Sequence, residues 1–158
     1  MAIQRRGLLA GAALLGVARP VLAQPSGPIR IGWLASLTGA ASAPAIGFDR
    51  GVQFAAASIN AAGGVRGRMI EVVTRDTQGD PTKAVNAVQD LISRAKVDAV
   101  WGPTNSGESL AVTPILARAR MPNLHPCVVD SLIDPAKYPN AFRTAPSNGQ
   151  WDDAVRAY

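Results

Sequence analysis

Residues 102–109 read Gly-Pro-Thr-Asn-Ser-Gly-Glu-Ser and nearly match the phosphate-binding loop pattern Gly-x4-Gly-Lys-Ser/Thr. Glu108 stands where that pattern needs its lysine, and a carboxylate there repels phosphate. A different use survives. Thr104, Asn105 and Ser106 bring two hydroxyls and an amide to the start of an expected helix, where free N–H groups and the helix dipole favour an anion. A bound carboxylate suits such a site. The plainer role for Ser106 is to cap its own helix, and the two roles are compatible. His125 and Cys127 are two apart near a strand end, so both could point to one face, towards a ligand. A Cys–His nucleophilic pair would need a third group to orient it, and none is evident. Packing within the strand is the alternative. Asp76 and Asp80 could form an acid–base pair. However, Asp80 precedes Pro81 as a helix cap does, and Asp76 reads as a loop hydrogen-bonder. Gly63 to Gly67 follows a helix and precedes a strand, the wrong end of a βα unit for a dinucleotide, and reads as a turn.

The elements that must position these groups follow from periodicity. Ile29–Leu34 reads as a largely buried strand, and Ser36–Gly47 as a small-residue loop. A helix is expected over Phe48–Ala61, with Phe48, Val52, Ala55 or Ala56, and Ile59 on one face and Gly63-Gly64 ending it. Met69–Thr74 is the second strand. Asp80-Pro81 starts a helix that reaches about Ala95, with Ala84, Val85, Val88, Leu91, Ile92 and Ala95 facing the core. Asp98–Trp101, Leu124–Val129 and Ala141–Thr144 are further strands. Ser106–Arg120 is a helix containing Pro114, and another begins at Gln150. Alternating strands and helices give an α/β fold: a Rossmann-like parallel sheet with helices on both faces. Such sheets bind ligands beyond the carboxyl ends of their strands. That geometry selects the loops Ser36–Gly47, Asp76–Asp80, Pro103–Ser109 and Pro126–Asp130.

The charge narrows the function classes. The chain of 158 residues has a net charge of +5, which raises the question of nucleic acid. Three of the basic residues, Arg5, Arg6 and Arg19, lie in the first 23. There a basic start precedes the apolar run Gly7–Val17, too short to span a bilayer, and Val21-Leu22-Ala23 suits a signal peptidase. Residues 1–23 are therefore expected to be a secretory signal cleaved after Ala23. Arg5-Arg6 also fits a twin-arginine signal, with the general secretory route and an uncleaved anchor as alternatives. Without that segment 13 basic residues face 11 acidic ones, dispersed and without interleaved aromatics, so no nucleic-acid partner is expected. One cysteine and one histidine leave no disulfide framework and argue against a metal site.

A family pattern runs through most of this chain. Ile31-Gly32-Trp33-Leu34 with Leu37-Thr38-Gly39, Gly51 with Ala56, the run from Ile59 to Arg68, Arg75-Asp76 with Asp80-Pro81 and Ala84, and Val100 to Pro103 with Ser106 all fit it. The sequence resembles the extracytoplasmic substrate-binding proteins of ABC transporters, of the branched-chain amino-acid (Leu/Ile/Val-binding) type. The run Ile59–Gly67 is its most specific part. The resemblance implies the type I periplasmic-binding fold, in which two α/β lobes joined by a hinge close on a ligand. Residues 24–144 then form the N-terminal ligand-binding lobe, and 145–158 the start of the crossover into a second lobe that this sequence lacks.

By the same resemblance Ser106 matches the family's ligand-binding serine after the third strand. Cys127 and Val129 match its contacts after the fourth. Thr104, Asn105 and His125 complete the expected ligand-binding set, with no catalytic residue, metal or cofactor. Val129 lacks the hydroxyl that family members often offer there, and the first loop lacks their aromatic. The expected role is periplasmic capture of a small amino acid, or a related amide or carboxylate, for the membrane permease of an ABC importer. A ligand sensor of the same fold (amide- or urea-responsive), a non-functional truncated fragment, and an exported enzyme using His125 and Cys127 are the alternatives.

Overall fold

The computed structural model describes residues 27–158, so the export signal read at residues 1–23 lies outside the described residues. The described elements are β1 (Ile29–Ala35), α1 (Ser42–Ala61), β2 (Ile70–Asp76), α2 (Pro81–Ser93) and β3 (Ala99–Trp101). They continue with α3 (Ser106–Arg118), β4 (Asn123–His125), a 3-10 turn (Asp130–Ile133), β5 (Ala141–Arg143) and α4 (Asn148–Arg156). The strands form one parallel sheet in the order β2-β1-β3-β4-β5. The chain winds outward from β1 in both directions. Right-handed crossovers in opposite directions put their helices on opposite faces. That explains why the residues packed beneath α2 and α3 are not those beneath α1.

The main core lies under α2 and α3. Leu34 and Val100 from the sheet meet Ala84, Val88 and Leu91 of α2 and Val112 and Leu116 of α3. All seven are fully buried. Of the α2 face expected from periodicity, Val85, Ile92 and Ala95 are partly buried against this cluster. On the opposite face α1 covers the sheet less completely. Ala56 is buried, whereas Phe48 and Ile59 line an apolar groove of about 390 Å³ with Val52, Ile31, Val72 and Trp101.

Two expected boundaries are corrected. α1 begins at Ser42, not Phe48, and its N-cap Ala41 makes no side-chain cap. The early turns are Ala-rich, and Pro44 sits in the first turn, where its missing N–H costs nothing. The fourth strand pairs only over Asn123–His125. Pro126 removes the next ladder donor, and the chain instead enters the 3-10 turn.

Two predicted caps are present. Asp80 accepts from the N–H groups of Thr82 (2.7 Å) and Lys83 (3.0 Å). These bonds hold its carboxyl below its ordinary range. Asp80→Ala should therefore lower the urea midpoint, while Asp80→Asn, which keeps an acceptor, should retain most of it. At the end of α1, Gly63 has φ 96° and donates to Asn60, and Gly64 donates to Ile59. This is a Schellman termination. Asn60 then brackets β2 with its amide, donating to the Ile70 carbonyl (2.9 Å) and accepting from the Ile70 N–H (2.7 Å). The run Ile59–Gly67 thus turns the chain from α1 into β2. Among the described residues no helix is long and apolar enough to cross a membrane.

Candidate functional site

The winding direction reverses between β1 and β3, and the loops after these strands separate there. A crevice at that switch point is where open α/β sheets take ligands. Asp76, the last residue of β2, shapes the β1 loop. Its Oδ1 accepts from the N–H of Leu37 (2.9 Å), Thr38 (3.3 Å) and Gln78 (3.0 Å), and its Oδ2 from the Thr38 hydroxyl (2.6 Å). Partial burial opposes ionisation, but the Thr38 hydroxyl and these N–H groups outweigh it and hold the carboxyl below its usual range. Asp76 is thus the loop hydrogen-bonder expected of it.

The β3 loop is placed by Gly102. Its φ of 95° lies in the left-handed region, and a Cβ there would sit 2.1 Å from the Leu34 carbonyl oxygen. Only glycine lets the loop approach β1 this closely. The Gly102 N–H donates to Leu124 (2.7 Å), and its carbonyl accepts from Asn123 Nδ2 (2.8 Å). Thr104, Asn105 and Ser106 follow as half-buried residues at the mouth of α3.

Capping falls to Asn105, which corrects the expected role of Ser106. Asn105 Oδ1 accepts from the Glu108 N–H (2.9 Å), so Ser106 is the first helical residue and does not cap. The Asn105 amide is engaged on its other side too, donating to Ser36 Oγ (3.2 Å) and to Glu108 Oε2. Its groups therefore serve the loop. The Ser106 hydroxyl stands at the helix mouth beside the Cys127 thiol.

His125 and Cys127 are brought close to this loop from beneath. Cys127 is buried, its Sγ 2.9 Å from Ser109 Oγ and 3.3 Å from the Pro103 carbonyl. Burial pushes its thiol up, against the pull of the Ser109 and Ser106 hydroxyls. His125 is also fully buried, with Nδ1 accepting from the Cys127 N–H (3.3 Å). Burial and the neighbouring Arg143 push its pKa down to about 4. The imidazole is thus neutral at ordinary pH, and the thiol protonated. Val129 is half-buried, at the start of the 3-10 turn. Among the described residues no group of three or more His, Cys, Asp or Glu side chains could hold a metal ion.

The pattern of a protein family described as periplasmic binding protein matches residues 28–158. The chain belongs to that family. It is 27% identical over 150 residues to a Leu/Ile/Val-binding protein homolog 3 of Brucella melitensis, covering 95% of this chain and 39% of the relative. Among solved structures it resembles the branched-chain amino acid transporter substrate binding protein LivJ of Streptococcus pneumoniae in complex with isoleucine. There the TM-score is 0.72 and the identity 30%, over 76% of this chain and 34% of that one. An ABC transporter substrate-binding protein of Desulfitobacterium hafniense in complex with Leu gives a TM-score of 0.74 at 29% identity, over 83% of this chain and 38% of that one. The chain thus spans well under half the length of these relatives. The parallel sheet with helices on both faces is the type I periplasmic-binding architecture expected from the sequence.

Two contributors to the site were missed as such. Ser36 and Glu108 are both fully buried beneath the loops, 3.0 Å apart through Ser36 Oγ and Glu108 Oε2. The signal for Glu108 was its place three residues after the cap, where a carboxylate commonly folds back over the helix start.

Proposed function

We propose that the protein captures a branched-chain amino acid outside the cytoplasm and delivers it to the membrane permease of an ABC importer. The observation that carries this reading is the mouth of α3, where Asn105 does the capping and the Ser106 hydroxyl stands at the switch point. There the ligand carboxylate meets the first N–H groups of the helix and Ser106 Oγ. Binding requires no bond to be made or broken, and the neutral His125 and protonated Cys127 suit a scaffold better than a nucleophile. The named relatives support the ligand class. In this reading residues 24–144 form the first lobe and 145–158 open the crossover to a second, which closes on the ligand. The precursor loses residues 1–23 on export.

Calorimetric titration of the two-lobed protein with leucine, isoleucine and valine tests this. Saturable binding of at least one is expected. Ser106→Ala should weaken it by about 1.5–3 kcal/mol, the value of a hydrogen bond to a charged group. No binding of any of the three overturns the ligand class. Unchanged affinity in Ser106→Ala removes Ser106 from the site.

A further inference from the structure

Glu108 is the one carboxylate of the α3 mouth, and it is fully buried. It faces three strand ends at once. Its Oε2 accepts from Ser36 Oγ, just past β1, at 3.0 Å, and from Asn105 Nδ2, just past β3. Ser36 Oγ in turn lies 3.4 Å from Thr77 Oγ1, just past β2. Asn105 and Ser36 are also joined directly, at 3.2 Å. The loops that shape the crevice are therefore knotted beneath their tips by a single side chain. The other oxygen, Oε1, is buried with no hydrogen-bond partner among the described residues.

We propose that Glu108 is a positioning residue of the binding site, which ties the β1, β2 and β3 loops together and so fixes Ser106 at the mouth of α3. Its effect on affinity rests on the ligand-binding reading above; its effect on the loops does not. The burial of Oε1 without a donor disfavours the ionised form. A buried anionic oxygen without a donor is far costlier than a neutral carboxyl in the same place. The charges facing it agree. Burial raises its pKa against the pull of the Thr77 and Ser36 hydroxyls, and Asp76 and Asp80 at the β2 end add to the rise. The β4 end contributes the uncharged Cys127 thiol, and β1 contributes only a hydroxyl.

The carboxyl binds a proton more tightly in the folded chain than in the unfolded one. Its contribution to stability is complete below the ordinary glutamate range and is lost as pH rises through the elevated pKa. Ionisation then places an unmatched charge under the loops and loosens them.

The test compares the wild type, Glu108→Gln and Glu108→Ala, each in the two-lobed protein, by amide hydrogen exchange without ligand and by leucine titration across pH. Glutamine mimics the neutral acid. In Glu108→Ala, protection of the N–H groups of Thr38, Thr77 and Ser109 should fall about tenfold or more relative to those in α1, and leucine affinity by a similar factor. Glu108→Gln should restore both to within about threefold. In the wild type, loop protection, corrected for intrinsic exchange, should decline as pH rises through the elevated pKa; in Glu108→Gln it should stay level. Equal loss of protection in α1 and the loops, or a pH decline that persists in Glu108→Gln, overturns the proposal. If the loops respond as expected but the wild type binds no leucine, the ligand reading fails and the positioning role stands. If leucine binds and affinity in Glu108→Ala is unchanged, the link from Glu108 to Ser106 is overturned.

Discussion

Gly102→Ala should destabilise the chain by more than about 3 kcal/mol, enough to leave a marginal domain largely unfolded. Two costs add. The residue keeps φ near 95°, where a Cβ is disfavoured. The new methyl would also stand 2.1 Å from the Leu34 carbonyl oxygen, 3.1 Å from its carbon and 3.2 Å from the Trp33 ring. Leu34 belongs to β1, which is paired on both sides, to β2 and to β3. It cannot retreat without disturbing two ladders. Nor can the loop retreat, since Gly102 is fixed through both its N–H and its carbonyl. Gly107 is the control. A Cβ there would meet only Asn105 Oδ1, at 3.5 Å, and its position in α3 favours alanine by up to about 1 kcal/mol. Urea denaturation of both variants separates the cases. A Gly102→Ala protein within 1 kcal/mol of wild type would show that the loop can stand away from β1.

What the sequence made legible depended on whether a side chain does the structural work locally. Asp80-Pro81 and Gly63-Gly64 act on backbone groups within a few residues, so the start of α2 and the end of α1 could be read directly. The start of α1 has no such agent, because Ala41 carries no capping group, and the small residues after Ser36 resemble a loop. The length of β4 was misread because hydrophobicity continues to Val129, while the ladder stops for want of a donor at Pro126. The crevice loops were legible for a topological reason, since a parallel sheet sends them all to one edge. The division of labour inside them was not. Asn105 and Ser106 are equally good caps by composition, and only the path from β3 decides that Asn105 takes the role. Glu108 was visible as a missing lysine, yet its partners Ser36 and Thr77 are 72 and 31 positions away, beyond any local pattern.

Acid should weaken the fold through His125 in a defined window. The imidazole is fully buried, its Nδ1 accepts from the Cys127 N–H, and its Nε2 has no partner among the described residues. Burial and then Arg143 lower its pKa from 6.5 to about 4. The unfolded chain therefore takes up a proton below pH 6.5 that the folded chain refuses. The stability tied to the neutral ring is complete above pH 6.5, declines as pH falls towards 4, and changes no further below that. The loss is on the order of 3 kcal/mol. Asp76, Asp80 and Asp130 titrate lower in the folded chain than in the unfolded one, and their losses set in at the acid end of this window. Glu108 slopes the other way, gaining stability as pH falls through its raised pKa. His125→Asn isolates the histidine, because the asparagine oxygen can take the place of Nδ1 for the Cys127 N–H and does not titrate. The variant should be less stable than wild type at pH 8 through lost packing, and the gap should narrow steadily between pH 6.5 and 4. Parallel stability curves for the two proteins across that range would mean that the ring is protonated in the folded chain as readily as in the unfolded one.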